Sequence, residues 1–511
     1  MRFILSIYYY IFFLVFSSSG NLYGKVEKNT IAIAWENTPR TFDPRYAIDA
    51  ESQYLENLLH CSLIDFDPNG SIVSDVAKSW KWLNPKLLEM EIKDNVFFAD
   101  GNKLTPADVK KTYEFFMQKK HKIPTPRAGA FKDLKSITVT KNTLQFALHQ
   151  ADSTFIANLA VGILPSKYIT EDLVDSSTTI PGCGPFVLNK VKPNTLSLAV
   201  NSKYSLGDAP KIGHVEIKIV KDESTRYAKL RKGEIDIAQN NISVDKIKVI
   251  EKSFPQLKIL KKPSLKTSYL GFNIQDKLLM KKEVRQAISL AINRPLIIKY
   301  LLNGMALEAN TMLPPNHRFY NTQIPKNRYD PQKANKILDQ AGLVAKDQAY
   351  RFQLSYKTTQ NQTRLGIAKA IASDLKKIGI QVKVQSLEWG RFKADVDKGH
   401  VQMWGLSWIG FKDPDIYRYA FGTESFPPNG GNRGRFSNSS LDEYLRLGKI
   451  TVNPEQRLKH YLKVQEIVAN HLPYAFLFHE ENYAVVQKNV QNFALFADGR
   501  YASLKHIYKT E

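Results

Sequence analysis

Cysteine is nearly absent from this chain: Cys61 and Cys183 are the only two in 511 residues. Neither belongs to a Cys-x-x-Cys unit, which excludes the thiol-redox and structural-zinc sites built on such pairs. Long apolar runs are lacking too. Past residue 24 no stretch reaches the ~18 apolar residues of a membrane-crossing helix, so the remainder reads as a soluble chain. Acidic residues fall short of basic ones, 49 against 72, for a formal net charge of +23. The excess is not gathered anywhere; the densest spots are the pairs Lys110-Lys111 and Lys261-Lys262. A single-strand nucleic-acid site interleaves basic runs with aromatics, and none does so here. The charge reads as a solvated basic surface, and no nucleic-acid partner is expected.

Catalytic patterns are missing as well. Gly405-Leu406-Ser407-Trp408-Ile409-Gly410 comes near a nucleophile elbow, but Ile409 stands where the second close-packing glycine is needed. His479-Glu480-Glu481 lacks the second histidine of a zinc-hydrolase helix, and the ten histidines show no metal-ligand spacing. No glycine-rich phosphate loop ends in Lys-Ser or Lys-Thr. Asp413 and Asp415 are close in sequence, yet nothing marks them as an acid–base couple. The expectation is a protein that is not an enzyme, with no metal and no cofactor.

What is present begins with residues 1–24. Arg2 precedes an uncharged apolar run over 3–16, about the size of a signal-peptide core, and Ser17-Ser18-Ser19-Gly20 supplies small residues for cleavage. The reading is an exported protein whose leader is removed after Gly20 or Gly24; the alternative is an uncleaved anchor. No cysteine follows the leader to carry a lipid. Export places Cys61 and Cys183 in an oxidising compartment, which permits one bridge or leaves two buried thiols.

The length implies two or three domains with their own cores. Ile31-Ala32-Ile33-Ala34-Trp35 reads as a strand. Thr105-Pro106-Ala107-Asp108 caps a helix carrying Val109, Tyr113 and Phe116 on one face. Asp330-Pro331 opens another, ended by Gly342; Ile367, Ile371 and Leu375 form a third stripe, closed by Gly379. Ile380, Val382 and Val384 then alternate as a strand. Helices and strands intermix, so the class is α/β. Trp389, Trp404, Trp408, Phe411, Tyr417, Tyr419 and Phe421 crowd one region beside the loop signals Asp413-Pro414-Asp415 and Gly430-Gly431-Asn432. Such a cluster serves a core or a ligand cleft.

Ile180-Pro181-Gly182-Cys183-Gly184-Pro185-Phe186 makes a tight entry into a strand. With its surroundings it completes a series in fixed order: Thr41-Phe42-Asp43-Pro44; Phe98-Ala99-Asp100-Gly101 followed by Leu104-Thr105-Pro106-Ala107-Asp108-Val109; Gly182-Cys183-Gly184-Pro185-Phe186; Leu230-Arg231-Lys232-Gly233-Glu234-Ile235-Asp236; Tyr269-Leu270-Gly271-Phe272-Asn273; Val284-Arg285-Gln286-Ala287-Ile288; and Glu388-Trp389. From about residue 31 to the C-terminus this series resembles the periplasmic solute-binding proteins of the oligopeptide/dipeptide/nickel class, the receptors of ABC importers.

The resemblance implies a two-lobed periplasmic binding protein with three domains and a ligand cleft between domains I and III. Domain I would be discontinuous, over 25–50, 170–271 and 478–511, with domain II at 51–169 and domain III at 272–477. The two crossovers between lobes would act as a hinge closing over ligand. The implied protein is a periplasmic monomer that delivers peptides or peptide-like solutes to an ABC permease. Extended ligands in the family bond through their backbones, which places Glu36, Asn37 and Thr38 on one lobe and Ser407, Trp408 and Ile409 on the other. Tyr269, Trp389, Trp404, Phe411 and Asn432 are further expected cleft residues. Because Cys183 replaces the threonine of the family's Gly-Thr-Gly turn, a Cys61–Cys183 disulfide is expected.

One departure bears on the ligand. Peptide-binding members carry an aspartate three residues after the cleft tryptophan, to hold the ligand's α-ammonium. Here Ile409, Gly410 and Phe411 follow Trp408, and the segment up to Asp413-Pro414 is one residue short. Either Asp413 or Asp415 swings in as a substitute, or the pocket has no anchor and Trp404, Trp408 and Phe411 stack on a blocked ligand. Other ligands of the fold, a metal chelate, haem, a glycan or an opine, stand as the alternative, with a periplasmic holdase as a more distant one.

Overall fold

The structure, a computed structural model, describes residues 29–118, 125–169, 180–345 and 350–510. The expected leader and the first residues of the 25–50 segment lie outside the described residues, as does the start of the 170–271 segment.

The strand Thr30–Trp35, apolar from Ile31 onward, is buried along its whole length and pairs in parallel with both His214–Ile219 and Ile237–Gln239. Strands covered on both faces need such runs. They belong to one sheet of eleven strands that passes through both lobes. Two long strands, Leu257–Phe272 and Tyr474–Gln487, lie antiparallel at its middle and carry it from one lobe to the other. Their pairing is regular up to Pro263, lapses, and resumes at Thr267. Pro263 has no N–H to give the ladder, and the slip lets the pair bend at the expected hinge. Beyond them on the second lobe come Met403–Ile409, Phe352–Thr359 and Ile380–Leu387. On the first lobe the sheet ends with Thr195–Val200 and Phe186–Lys192.

A separate four-stranded sheet, Ala77–Asn84, Leu87–Ile92, Thr143–Leu148 and Leu134–Thr140, packs under the helix Pro106–Met117. That helix starts where its residues dictate: Asp108 accepts the Thr105 N–H at 2.9 Å, and Pro106 fills the first turn. Pro331–Gln340 is capped by Asp330, whose carboxylate accepts the Lys333 N–H at 2.8 Å, and Gly342 follows with φ of 72°. The boundary expected at residue 51 cuts a helix, Ala50–Leu59, whose Leu55, Leu58 and Leu59 join the core of the large sheet. The core of the small sheet takes up the chain at Cys61 and Leu63.

At that junction Cys61 is bonded to Cys183, with 5.1 Å between Cα atoms. The flanking glycines explain themselves here. A Cβ on Gly182 would fall on the Leu59 carbonyl, and one on Gly184 would lie 2.6 Å from the Leu59 carbonyl carbon. The Gly184 N–H donates to that same carbonyl oxygen at 3.0 Å. The turn therefore presses main chain against the end of the helix, and the bridge fastens both ends of the small-sheet unit.

Candidate ligand cleft

Strand Met403–Ile409 pairs with Leu257–Phe272 along its full length, but Phe352–Thr359 reaches it only at Met403 and Trp404. One edge is therefore open from Gly405 onward. Gly410 N–H donates to the Leu265 carbonyl at 2.7 Å. Antiparallel alternation then turns the main-chain groups of Ser407 and Ile409 away from that partner, toward the open side.

Two cavities lie beside this edge. One of about 280 Å³ is walled by Gly405, Leu406 and Ser407, by Thr358 and Arg364 of the neighbouring elements, and by Ser268. The other, of about 360 Å³, lies between the lobes, with Ile409 and Gly410 on one side and Tyr54, Asn240 and Asp498 on the other. Lys266 and Glu480, one from each crossover strand, line both cavities and form an ion pair with each other. Ser268 donates to Glu480 at 2.9 Å, which leaves the Ser407 hydroxyl to donate to Ser268 at 2.7 Å. Burial pushes the neighbouring Glu481 carboxyl above its ordinary range, with Lys261 pulling the other way. Burial also raises Asp498, but Lys412 and Arg500 outweigh it and hold that carboxyl below the usual range. The Lys412–Asp498 pair, at 2.8 Å, ties the second lobe to the first. Behind the cleft, Thr267 donates to the Met312 carbonyl at 2.7 Å and so accepts from His479 Nδ1 at 2.8 Å. Burial lowers the His479 imidazole to about 3, fixing it as neutral.

The expected site residues divide. Ser407 and Tyr269 line the smaller cavity and Ile409, 69% exposed, the larger. Tyr269 stacks on Tyr474 at 4.0 Å and on Trp408 at 6.1 Å, while the Arg433 guanidinium lies 5.5 Å from the Trp408 ring. Glu36, Asn37 and Thr38 are exposed but line neither cavity; Asn37 donates to Glu51 at 3.0 Å, and Glu36 lies 3.8 Å from Arg226. Trp389 is exposed at a helix start and lines neither cavity.

Five expected site residues take other places. Trp404 is fully buried, its ring filling the space that Gly271, its cross-strand partner, leaves open. Phe411 lies in the same core, with Tyr417 and Phe421. Neither is placed to stack on a ligand. Asn432 is buried and donates to the Gly422 and Phe436 carbonyls at 2.9 and 2.8 Å, so it holds a loop. Asp413 does not swing into the cleft: Arg457 takes both its oxygens, at 2.9 and 2.7 Å. Asp415 is held by Arg418 at 2.9 Å and by the Tyr461 hydroxyl at 3.1 Å. Burial raises the Asp415 carboxyl against the pull of Arg418. Reasoning from sequence missed Lys266, Arg364 and Glu480. The available signal was charge inside otherwise apolar strand runs, Glu480 and Glu481 above all.

Residues 71–427 match the profile of the bacterial extracellular solute-binding proteins, family 5, middle region. The chain belongs to this family. It is 28% identical over 503 residues to the oligopeptide-binding protein AppA of Bacillus subtilis, covering 93% of this chain and 89% of that one. It is 26% identical over 500 residues to heme-binding protein A of Haemophilus influenzae, covering 91% and 90%. Among solved structures it resembles Bacillus subtilis AppA in complex with a nonapeptide, with a TM-score of 0.70, 26% identity and coverage of 94% and 99%. It also resembles NikZ from Campylobacter jejuni in complex with Ni(L-His), with a TM-score of 0.75, 26% identity and coverage of 95% and 100%. Family 5 proteins are solute-binding receptors, and the two-lobed α/β fold with its full-length crossover sheet is that of this family. Among the described residues no helix is long and apolar enough to cross a membrane.

Proposed function

We propose that this family 5 receptor binds short peptides or peptide-like solutes and presents them to an ABC permease after its lobes close. The observation that carries the reading is the open edge of Met403–Ile409. Past Trp404 this edge has no strand partner among the described residues, and Ser407 and Ile409 line the two cavities beside it, which suits an extended ligand added as a further strand. Main-chain bonding is indifferent to side chains, so specificity is broad. Glu36, Asn37 and Thr38, exposed after strand Thr30–Trp35, supply the opposing edge when the lobes close. Names of relatives such as the oligopeptide-binding and dipeptide-binding proteins support the ligand class. The division into domain I (25–50, 170–271, 478–511), domain II (51–169) and domain III (272–477) goes with this reading. So do a leader removed after Gly20 or Gly24, a monomeric periplasmic protein, and no catalysis.

Titration calorimetry with tri-alanine and its main-chain N-methylated form tests the strand-addition mode. Loss of binding on methylation, with side chains unchanged, is the expected result. Equal affinity for both forms would contradict it.

A further inference from the structure

A third cavity, of about 450 Å³, shares no lining residue with the two beside the cleft strand. Gln150 and Ala151, which follow the strand Thr143–Leu148 of the small-sheet unit, line one side of it. The other side belongs to the second lobe: Arg418, the loop 422–424 and one face of the helix Ser439–Ile450. The cavity therefore spans the joint between two units that lobe opening would separate.

Three cations, Arg418, Arg446 and Lys449, and two carboxylates, Glu424 and Asp442, line it. Both carboxylates are already served. Asp442 accepts the Thr423 N–H at 2.9 Å and its hydroxyl at 2.7 Å, and Glu424 accepts from Arg418 at 2.9 Å. Lys449 and Arg446 keep donors to spare. The Lys449 ammonium is 3.9 Å from Asp152, beyond hydrogen-bond reach, and donates no hydrogen bond among the described residues. Arg446 gives Nε and Nη2 to Glu443, at 2.8 Å each, which leaves Nη1 without a partner among the described residues. Three residues apart, the two side chains share one helix face. The carbonyls at this helix end would repel an anion, but they are covered. The Gly448 carbonyl accepts from the Ser153 hydroxyl and from Arg457, at 3.0 Å each, and the Lys449 carbonyl accepts the Ser153 N–H at 2.7 Å. What faces the cavity is spare donor capacity and a net positive charge.

We infer that Lys449 and Arg446 form a binding site for a phosphate-sized oxyanion, free or as the head of a small solute, and that the bound anion holds the small-sheet unit against the second lobe. An oxyanion between the two side chains takes charge-assisted hydrogen bonds from both. Gln150 supplies an amide donor from the opposite wall. Opening the lobes carries that wall away, so the anion binds the closed arrangement more tightly and shifts the population toward it. By linkage, anion and solute then raise each other's affinity by the same factor. The site itself needs no peptide; only its coupling to the cleft rests on the proposed closure over a solute.

Calorimetry on the full chain with inorganic phosphate and glycerol 3-phosphate, each against potassium chloride of equal ionic strength, tests the site. The proteins are wild type, Lys449→Gln, Arg446→Gln and Lys459→Gln, the last removing an exposed charge outside the cavity. Saturable binding is expected in wild type and Lys459→Gln. Lys449→Gln and Arg446→Gln should each weaken it by about tenfold or more, as for loss of a hydrogen bond between charged groups. Tighter binding of glycerol 3-phosphate assigns the cavity to the head of a solute; equal or weaker binding assigns it to the free ion. In small-angle scattering phosphate should lower the radius of gyration of wild type and not of Lys449→Gln. No binding beyond chloride, or the same loss in Lys459→Gln as in Lys449→Gln, overturns the site. Binding without compaction overturns the bridging role, and a tri-alanine affinity that phosphate leaves unchanged overturns the coupling. If tri-alanine does not bind but phosphate binds and compacts the protein, the anion site stands and the peptide reading falls.

Discussion

The Ser153 hydroxyl donates to the Gly448 carbonyl at 3.0 Å, and the Ser153 N–H to the Lys449 carbonyl at 2.7 Å. Ser153 belongs to the small-sheet unit, and Gly448 and Lys449 to the last turn of the helix Ser439–Ile450 on the other lobe. Helix C-termini leave carbonyls without intrahelical donors, and Ser153 supplies two. Arg457, the partner of Asp413, also donates to the Gly448 carbonyl at 3.0 Å. The loop after the cleft strand is thereby linked to this inter-lobe contact.

Widening the gap between these units must break the contact. Ser153→Ala removes one neutral hydrogen bond, worth roughly 1 kcal/mol, or about a fivefold shift toward open forms. Small-angle scattering of the unliganded variant should show a larger radius of gyration, and ligand affinity should fall by a similar factor. Unchanged scattering and affinity would show that Ser153 plays no part in closure.

The Cys61–Cys183 bridge closes a loop with a sequence separation of 122 residues. In the chain-entropy model that stabilises by roughly 5 kcal/mol. The Cys61→Ala, Cys183→Ala double variant should unfold at a clearly lower urea concentration, and non-reducing peptide mapping of wild type should recover the linked pair. Alkylation of both thiols in the unreduced native protein would contradict the bridge.

Asp413→Asn should act on stability and not on recognition of the ligand's amino end. It leaves Arg457, 6% exposed, without its carboxylate. Breaking a buried pair from one side is strongly destabilising, here roughly 3 kcal/mol because Asp413 keeps some exposure. The ratio of affinities for free and N-acetylated peptides should stay at its wild-type value. A changed ratio with unchanged stability would return Asp413 to the cleft.

Three imidazoles set an acid limit. Burial lowers His479 to about 3 and His60 and His317 each to about 4. The unfolded chain takes up these protons near pH 6.5, whereas the folded one does not until pH 3–4. The unfolded state therefore binds more protons in between, and stability is lost as pH falls from about 6.5 toward about 4. Thermal midpoints measured from pH 7.5 downward should decline below that point, with imidazole NMR signals of all three remaining neutral at about pH 5.5. Titration of any of them near 6.5 would contradict its burial as a neutral ring.

What was legible in the sequence was local. The apolar run 31–35, the Thr105–Asp108 cap and the alternation at Ile380, Val382 and Val384 each carry their structure within a few residues, and each forms the expected element. The cleft is built from distant partners. Lys266 meets Glu480, 214 residues away, through the register of the crossover strands, and Asp413 meets Arg457, 44 residues on. No periodicity marks either pair. The aromatic cluster misled for a related reason: rings suit a core and a cleft equally, and Gly271, which makes room for Trp404, lies on a different strand.

Thermal unfolding with and without a mixture of di-, tri- and tetrapeptides tests the central claim most directly. A ligand at about 100 times its Kd adds about 2.7 kcal/mol to the folded state, enough for a clear rise in the midpoint. The account predicts a saturable rise with free peptides of mixed sequence. No rise with any peptide at millimolar concentration would contradict it.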